Sequence, residues 1–255
     1  ILSVSLVGAI ATTLMLVLAM REVDLSVGSI VALSGVVSAT VIASTGSVLP
    51  GVAAGLAAGA AVGFFNGAVV AKLKVNSLIA TLATMEIVRG LAFLTSSGEA
   101  VSIPNESFYV LGSGEFLGVN YPVWIAVACF AVFGFILNFT VFGKNVLAIG
   151  GNPEAARLAG VPVTRVRITV FTLQGLVAGL AGIVLAARIT SGQPNTSVGL
   201  ELAVISACVL GGVSLLGGVA SITGVLIGVL IMGAAQNALN LLDVQTFYQY
   251  VVRGG

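Results

Sequence analysis

Few residues in this 255-residue chain are equipped for chemistry, and their types narrow what that chemistry is. There is no histidine, so the commonest general base and metal ligand is missing. The two cysteines, Cys129 and Cys208, sit inside apolar runs and read as small buried hydrophobes rather than a disulfide or a metal site. What remains is a short list of hydrogen-bonding and ionisable groups embedded in apolar sequence. Asp24, Ser26 and Ser29 lie at a break between two apolar runs, where short polar side chains and unwound backbone can face a cavity. An ordinary tight turn with Asp24 capping the next helix accounts for them equally well. Glu86 and Arg89 stand one helical turn apart within an apolar run. They read either as pathway groups or as a mutual ion pair joining two helices. Asn66 and Asn237 could bond a solute or bridge helices.

The elements that must position these groups are membrane spans. Hydrophobic residues make up 58% of the chain and charged ones 7%, with a mean hydropathy of +1.17. A soluble domain carries roughly a quarter charged residues, so this chain could not cover a water-facing surface. Polar interruptions divide it into about eight spans of ~20 residues: 1–20, 26–45, 49–71, 76–95, 121–139, 168–188, 201–216 and 218–239, with another starting near Phe247. The pair Gly211–Gly212 and Gly217 blur the border between the seventh and eighth, where a re-entrant or broken helix is an alternative. The expected fold is therefore an all-α polytopic helix bundle, a single transmembrane domain over 1–255.

The clearest packing signal is Gly51, Gly55, Gly59, Gly63 and Gly67, spaced by four within the run Leu49–Val70. Each interior glycine costs a helix in water about 1 kcal/mol against alanine. In lipid the same spacing lays a smooth stripe along one face, against which a neighbouring backbone can lie closely.

Basic residues set the expected orientation. Loops 21–25, 72–75 and 140–167 collect Arg21, Lys72, Lys74, Lys144, Arg157, Arg165 and Arg167, seven of ten Lys and Arg. The other side holds Arg188 with Glu99, Glu106, Glu115, Glu201 and Asp243. The positive-inside rule makes loop 140–167 cytoplasmic. The first visible span then runs inward, and a further span upstream plus completion of the last helix gives about ten in an intact protein. The outward polar stretch Thr190, Ser191, Gln193 and Asn195 reads as a docking surface, a gate or a plain exposed loop. A faint internal echo links Gly51-Val52-Ala53, Asn66 and Val88-Arg89-Gly90 to Gly218-Val219-Ala220, Asn237 and Val252-Arg253-Gly254. An odd number of intervening spans would make the halves inverted repeats, as in transporters; chance similarity of apolar segments explains the echo as well.

Loop 140–167 contains a miniature helix over Pro153–Ala159. Asn152 suits the N-cap and Pro153 the first position. Glu154 suits the positive end of the helix dipole and can pair with Arg157. Ala155, Ala156 and Leu158 propagate the turn, and Gly160 stops it. A helix about 10 Å long is marginal alone and calls for a partner surface, unless it is a simple connection.

Gly150-Gly151-Asn152-Pro153-Glu154-Ala155-Ala156-Arg157 resembles the cytoplasmic coupling loop of bacterial ATP-binding-cassette sugar permeases. Asp24-Leu25-Ser26-Val27-Gly28-Ser29 and Ala207-Cys208-Val209-Leu210-Gly211-Gly212-Val213-Ser214-Leu215-Leu216-Gly217-Gly218 are two further hallmarks, in order, and the resemblance covers the whole chain. Thr81-Leu82-Ala83-Thr84-Met85, Ile87-Val88-Arg89-Gly90 and Thr190-Ser191-Gly192-Gln193-Pro194 are most similar to members that carry L-arabinose. The resemblance implies a multi-pass subunit of the bacterial inner membrane that imports a monosaccharide and is not itself an enzyme. It also implies a second permease copy, lipid around it, a separate ATPase beneath and a periplasmic sugar-binding protein above. The sequence contains no G-x-x-x-x-G-K-[ST] phosphate loop. No cofactor, metal or nucleic-acid partner is expected. A branched-chain amino-acid permease and an ion-coupled secondary transporter are the alternatives; both would need more intramembrane charge than is seen.

Overall fold

A computed structural model describes residues 2–242. The run near Phe247, Asp243 and the echo at 252–254 lie outside those residues. The elements follow in order as α1 (Leu2–Ala19), α2 (Val27–Thr45), α3 (Val48–Lys72), α4 (Ser77–Ser96), β1 (Val101–Ser102), α5 (Glu106–Ser113), β2 (Glu115–Phe116), β3 (Val119–Asn120), α6 (Tyr121–Phe139), α7 (Val141–Gly151), α8 (Pro153–Leu158), α9 (Val163–Ile189), β4 (Ser191–Gly192), α10 (Leu200–Leu210) and α11 (Ile222–Leu241). Helices α2, α3, α4, α6, α9 and α11 are long and apolar enough to cross a membrane, and α1 and α10 are shorter apolar helices.

The glycine stripe faces inward along its whole length. Gly51, Gly55, Gly59, Gly63 and Gly67 are all buried, whereas Phe64 and Phe65 on the same helix are exposed. Small residues inside and large ones outside is the arrangement expected where the solvent is lipid. The stripe lies against α2 at its start and against α9 beyond. A Cβ on Gly55 would meet the Ser34 carbonyl at 2.8 Å, and one on Gly67 would meet the Ile168 Cα at 2.8 Å. Helix α9 answers with glycines of its own: Gly175 packs on Gly59 and Gly63, and Gly179 on Gly55 and Gly59.

Two expected spans are corrected. The segment 201–216 is not one crossing: α10 ends at Leu210, and its 11 residues make about 16 Å, half a bilayer core. Gly212, Gly217 and Gly218 all take positive φ in the turn that follows. Likewise α9 begins at Val163 rather than 168, because Arg165 and Arg167 continue the helix while hiding it from hydropathy. The stretch 140–167 is thus mostly helical, with α7 preceding the expected miniature helix. The echo between the halves is not matched in environment. Gly51 is inside α3 and Gly218 in a turn, and Asn66 is buried while Asn237 is exposed.

At one end of the bundle, the short strands β1 and β4 pair antiparallel, with Val101 opposite Gly192. Asn105 donates to the Gly46 carbonyl at 2.9 Å and Ile103 N–H to the Thr190 carbonyl, which ties α2, α5 and α9 together there. The opposite end is the basic face.

Candidate functional site

The basic face gathers the segments that the charge pattern places together. Arg21, Glu22, Lys74, Glu154, Arg157 and Arg167 line one cleft of about 360 Å³. Arg167 pairs with Glu22 at 3.1 Å, and Arg21 donates to the Gly151 carbonyl at 3.0 Å. Gly218 N–H donates to the Ala19 carbonyl at 2.8 Å, and a Cβ on Gly150 would strike that same carbonyl. Three remote segments, 19–21, 150–151 and 217–218, therefore meet at one junction.

Helix α8 projects from it. The Asn152 side chain accepts from the N–H groups of Glu154 (3.1 Å) and Ala155 (3.0 Å), satisfying two of the orphan donors of a helix start. Pro153 takes the first position, and Glu154 reaches Arg157 at 3.6 Å. At the other end Val161 N–H bonds the Ala156 carbonyl and Gly160 N–H the Arg157 carbonyl, with Gly160 at φ +85°. Only Ala156 is buried and seats the helix. Leu158 is 89% exposed at the far edge, an apolar side chain that nothing among the described residues covers.

Asp24, Ser26, Ser29 and Asn66 are all buried, and three of them form one network. Asp24 Oδ1 accepts from the Ser26 N–H (2.9 Å) and hydroxyl (2.6 Å), and Asn66 Nδ2 donates to the Ser26 hydroxyl at 2.9 Å. Asp24 therefore folds back on Ser26 in an Asx-type turn at the start of α2. Burial holds its carboxyl above the usual carboxylate range, with the Ser26 bonds working in the opposite direction. Asp24 Oδ2, Asn66 Oδ1 and the Ser29 hydroxyl have no partner among the described residues. The turn is braced by α4, where Ser77 accepts from Val23 N–H and Thr81 from Leu25 N–H, both at 3.1 Å. The run Thr81-Leu82-Ala83-Thr84-Met85 carries no local signal of that brace, because the partner N–H groups lie more than fifty residues away.

Glu86 and Arg89 do not form an ion pair. Arg89 Nη1 instead donates to the carbonyls of Pro194 (2.6 Å) and Thr196 (2.7 Å), while Glu86 is exposed. A turn of α4 is better placed to hold the non-helical backbone after α9 than to neutralise its own neighbour. Asn237 stands apart from the other candidates, on the rim of an apolar cleft of about 630 Å³ between α1, α6 and α11. Cys129 and Cys208 are free and buried.

A family model described as the permease component of the branched-chain amino acid transport system matches residues 1–255. The chain belongs to this permease family. The permease is 64% identical over 255 residues to the L-arabinose ABC transporter permease protein AraH of Azospirillum brasilense, covering 100% of this chain and 75% of the relative. It is 58% identical over 253 residues to the L-arabinose transport system permease protein AraH of Escherichia coli K12, covering 99% and 77%. With the ribose import permease protein RbsC of the same strain the identity is 43% over 255 residues, covering 98% and 79%. No solved structure matches. With six helices among the described residues fit to cross a bilayer, the permease is a multi-pass protein of the bacterial inner membrane.

Proposed function

We propose that this chain is the membrane-spanning subunit of an ATP-binding-cassette importer that carries a monosaccharide, L-arabinose or a related pentose, into the cell. The observation that carries the reading is identity of 64% along the whole chain to a permease named for L-arabinose. The family description names branched-chain amino acids, but relatives at 64%, 58% and 43% identity are all named for pentoses. In this reading the basic face is cytoplasmic, as the positive-inside rule requires. A separate ATPase subunit docks there on α8, with Leu158 entering an apolar pocket of that subunit and the capped helix transmitting force. A periplasmic sugar-binding protein docks at the opposite end, and a second copy of the permease completes the assembly.

The test is reconstitution of the permease with its ATPase in vesicles, with candidate binding proteins supplied outside. L-Arabinose with its binding protein is expected to stimulate ATP hydrolysis and accumulate inside. Stimulation by leucine or valine with their binding protein, and none by any sugar, would overturn the reading in favour of an amino-acid permease.

A further inference from the structure

We propose that the non-helical segment between α9 and α10, together with the facing turn of α4, forms a binding site for a neutral polyhydroxylated solute inside the membrane. Its hydrogen-bonding groups are Glu86, Arg89, Asn195 and Glu201. The solute class rests on the importer reading above; the site rests on the geometry that follows.

After β4 the chain does not stay at the end of the bundle. Gly192 lies against Val36 and Ala39 of α2, and the carbonyl of Ser197 lies against Gly28. Along α2, Gly28 to Val36 is about 12 Å, so residues 192–197 descend that far beside the helix without being helical. Non-helical backbone at membrane depth survives only where protein or an aqueous cavity surrounds it, because lipid offers no hydrogen bonds. The two Arg89 bonds satisfy the carbonyls of Pro194 and Thr196, and they place a cation near the midpoint of α4.

Around that cation the charges are left open. Glu201, in the first turn of α10, sets a carboxylate oxygen against Gly28 of α2 beside the Ser197 carbonyl, and Glu86 stands one helical turn before Arg89 on α4, yet neither is among the ion pairs of the described residues. Glu86 and Asn195 are exposed, and Glu201 and Arg89 half-buried. A surface carrying two carboxylates, a guanidinium and an amide is expensive against lipid, and such groups within a span mark a substrate pathway. Two carboxylates outnumber one guanidinium, so an anion is disfavoured, including the carboxylate of an amino acid. Vicinal hydroxyls fit: each donates to a carboxylate and accepts from the Asn195 amide or a free guanidinium N–H.

The test uses the permease with its ATPase and binding protein in vesicles. Glu86→Gln and Glu201→Gln should assemble with unchanged melting temperature and lower L-arabinose import by about tenfold. Asn195→Cys adds a thiol where the native Cys129 and Cys208 are buried. It should react with a charged thiosulfonate and be protected by L-arabinose but not by leucine. Normal import by both glutamine variants would overturn the site while leaving the importer reading intact. So would a thiol at 195 that is unreactive, or reactive without protection. Failure of the unaltered assembly to import L-arabinose would overturn the importer reading, and with it the solute named here.

Discussion

Gly59 and Gly175 pack backbone to backbone: a Cβ on Gly59 would stand 2.5 Å from the Gly175 carbonyl oxygen, and a Cβ on Gly175 would collide with that of Gly59. No rotamer change relieves such a contact, because the obstacle is main chain. Overpacking a close-fitted interior costs about 1–3 kcal/mol even where side chains can yield. Gly59→Ala and Gly175→Ala should each lower the melting temperature in detergent, and Gly59→Leu should abolish assembly. Ala57→Leu, on the exposed face of the same helix, should leave both unchanged. Equal melting temperatures for Gly59→Leu and Ala57→Leu would contradict this packing.

Arg89 should matter to folding and Glu86 should not. Arg89→Met strips two backbone carbonyls of their donor, each a bond of about 1.5–3 kcal/mol when one partner is charged. Thermal unfolding should shift down for Arg89→Met and stay fixed for Glu86→Gln. A matching shift for both would restore the ion-pair reading.

Asp24 gives stability a pH dependence. Its folded carboxyl titrates above the unfolded value near 3.9, so the protonated form favours folding. That contribution is complete below the unfolded value and is lost as pH rises through the raised folded one. Asp24→Asn keeps an oxygen for the two Ser26 bonds and carries no charge. It should flatten the decline in melting temperature between acid and neutral pH. An unchanged pH profile in Asp24→Asn would assign the decline elsewhere.

For α8, two substitutions separate folding from docking. Asn152→Ala removes the acceptor of two N–H groups, worth about 1 kcal/mol at a helix start. It should fray the helix and weaken ATPase co-purification. Leu158→Gln adds no charge to the helix end, keeps a good helix former and changes only an exposed tip. It should reduce ATPase association at least as much, with an unaltered melting temperature. Full association of Leu158→Gln would place the docking surface elsewhere.

The glycine stripe and the capped helix at 153–158 were legible because each rests on local rules. Four-residue glycine spacing and an Asn-Pro-Glu start carry their meaning within one turn. The partner stripe Gly175–Gly179 has the same spacing and could have been read as the other half of the interface. The break after α9 was harder. Residues 193–199 look like any polar outer loop, and only their descent beside α2 shows otherwise. Arg89 illustrates why charge pairing by spacing fails here. Its neighbour in sequence is Glu86, but unsatisfied carbonyls more than a hundred positions away compete for the same protons and win. Helix α7 went unread because it continues a span without an apolar run of its own length.

The junction where Arg21 meets Gly151 and Ala19 meets Gly218 has a mechanical meaning. It lies immediately before α8, at the foot of α1, and in the turn that joins α10 to α11. With glycine at 150 and 218 the three strands of backbone touch without any cushioning side chain. In the importer reading proposed above, this joint is a fulcrum: a load applied at the tip of α8 passes to the foot of α1 and the α10–α11 turn, or else breaks a hydrogen bond.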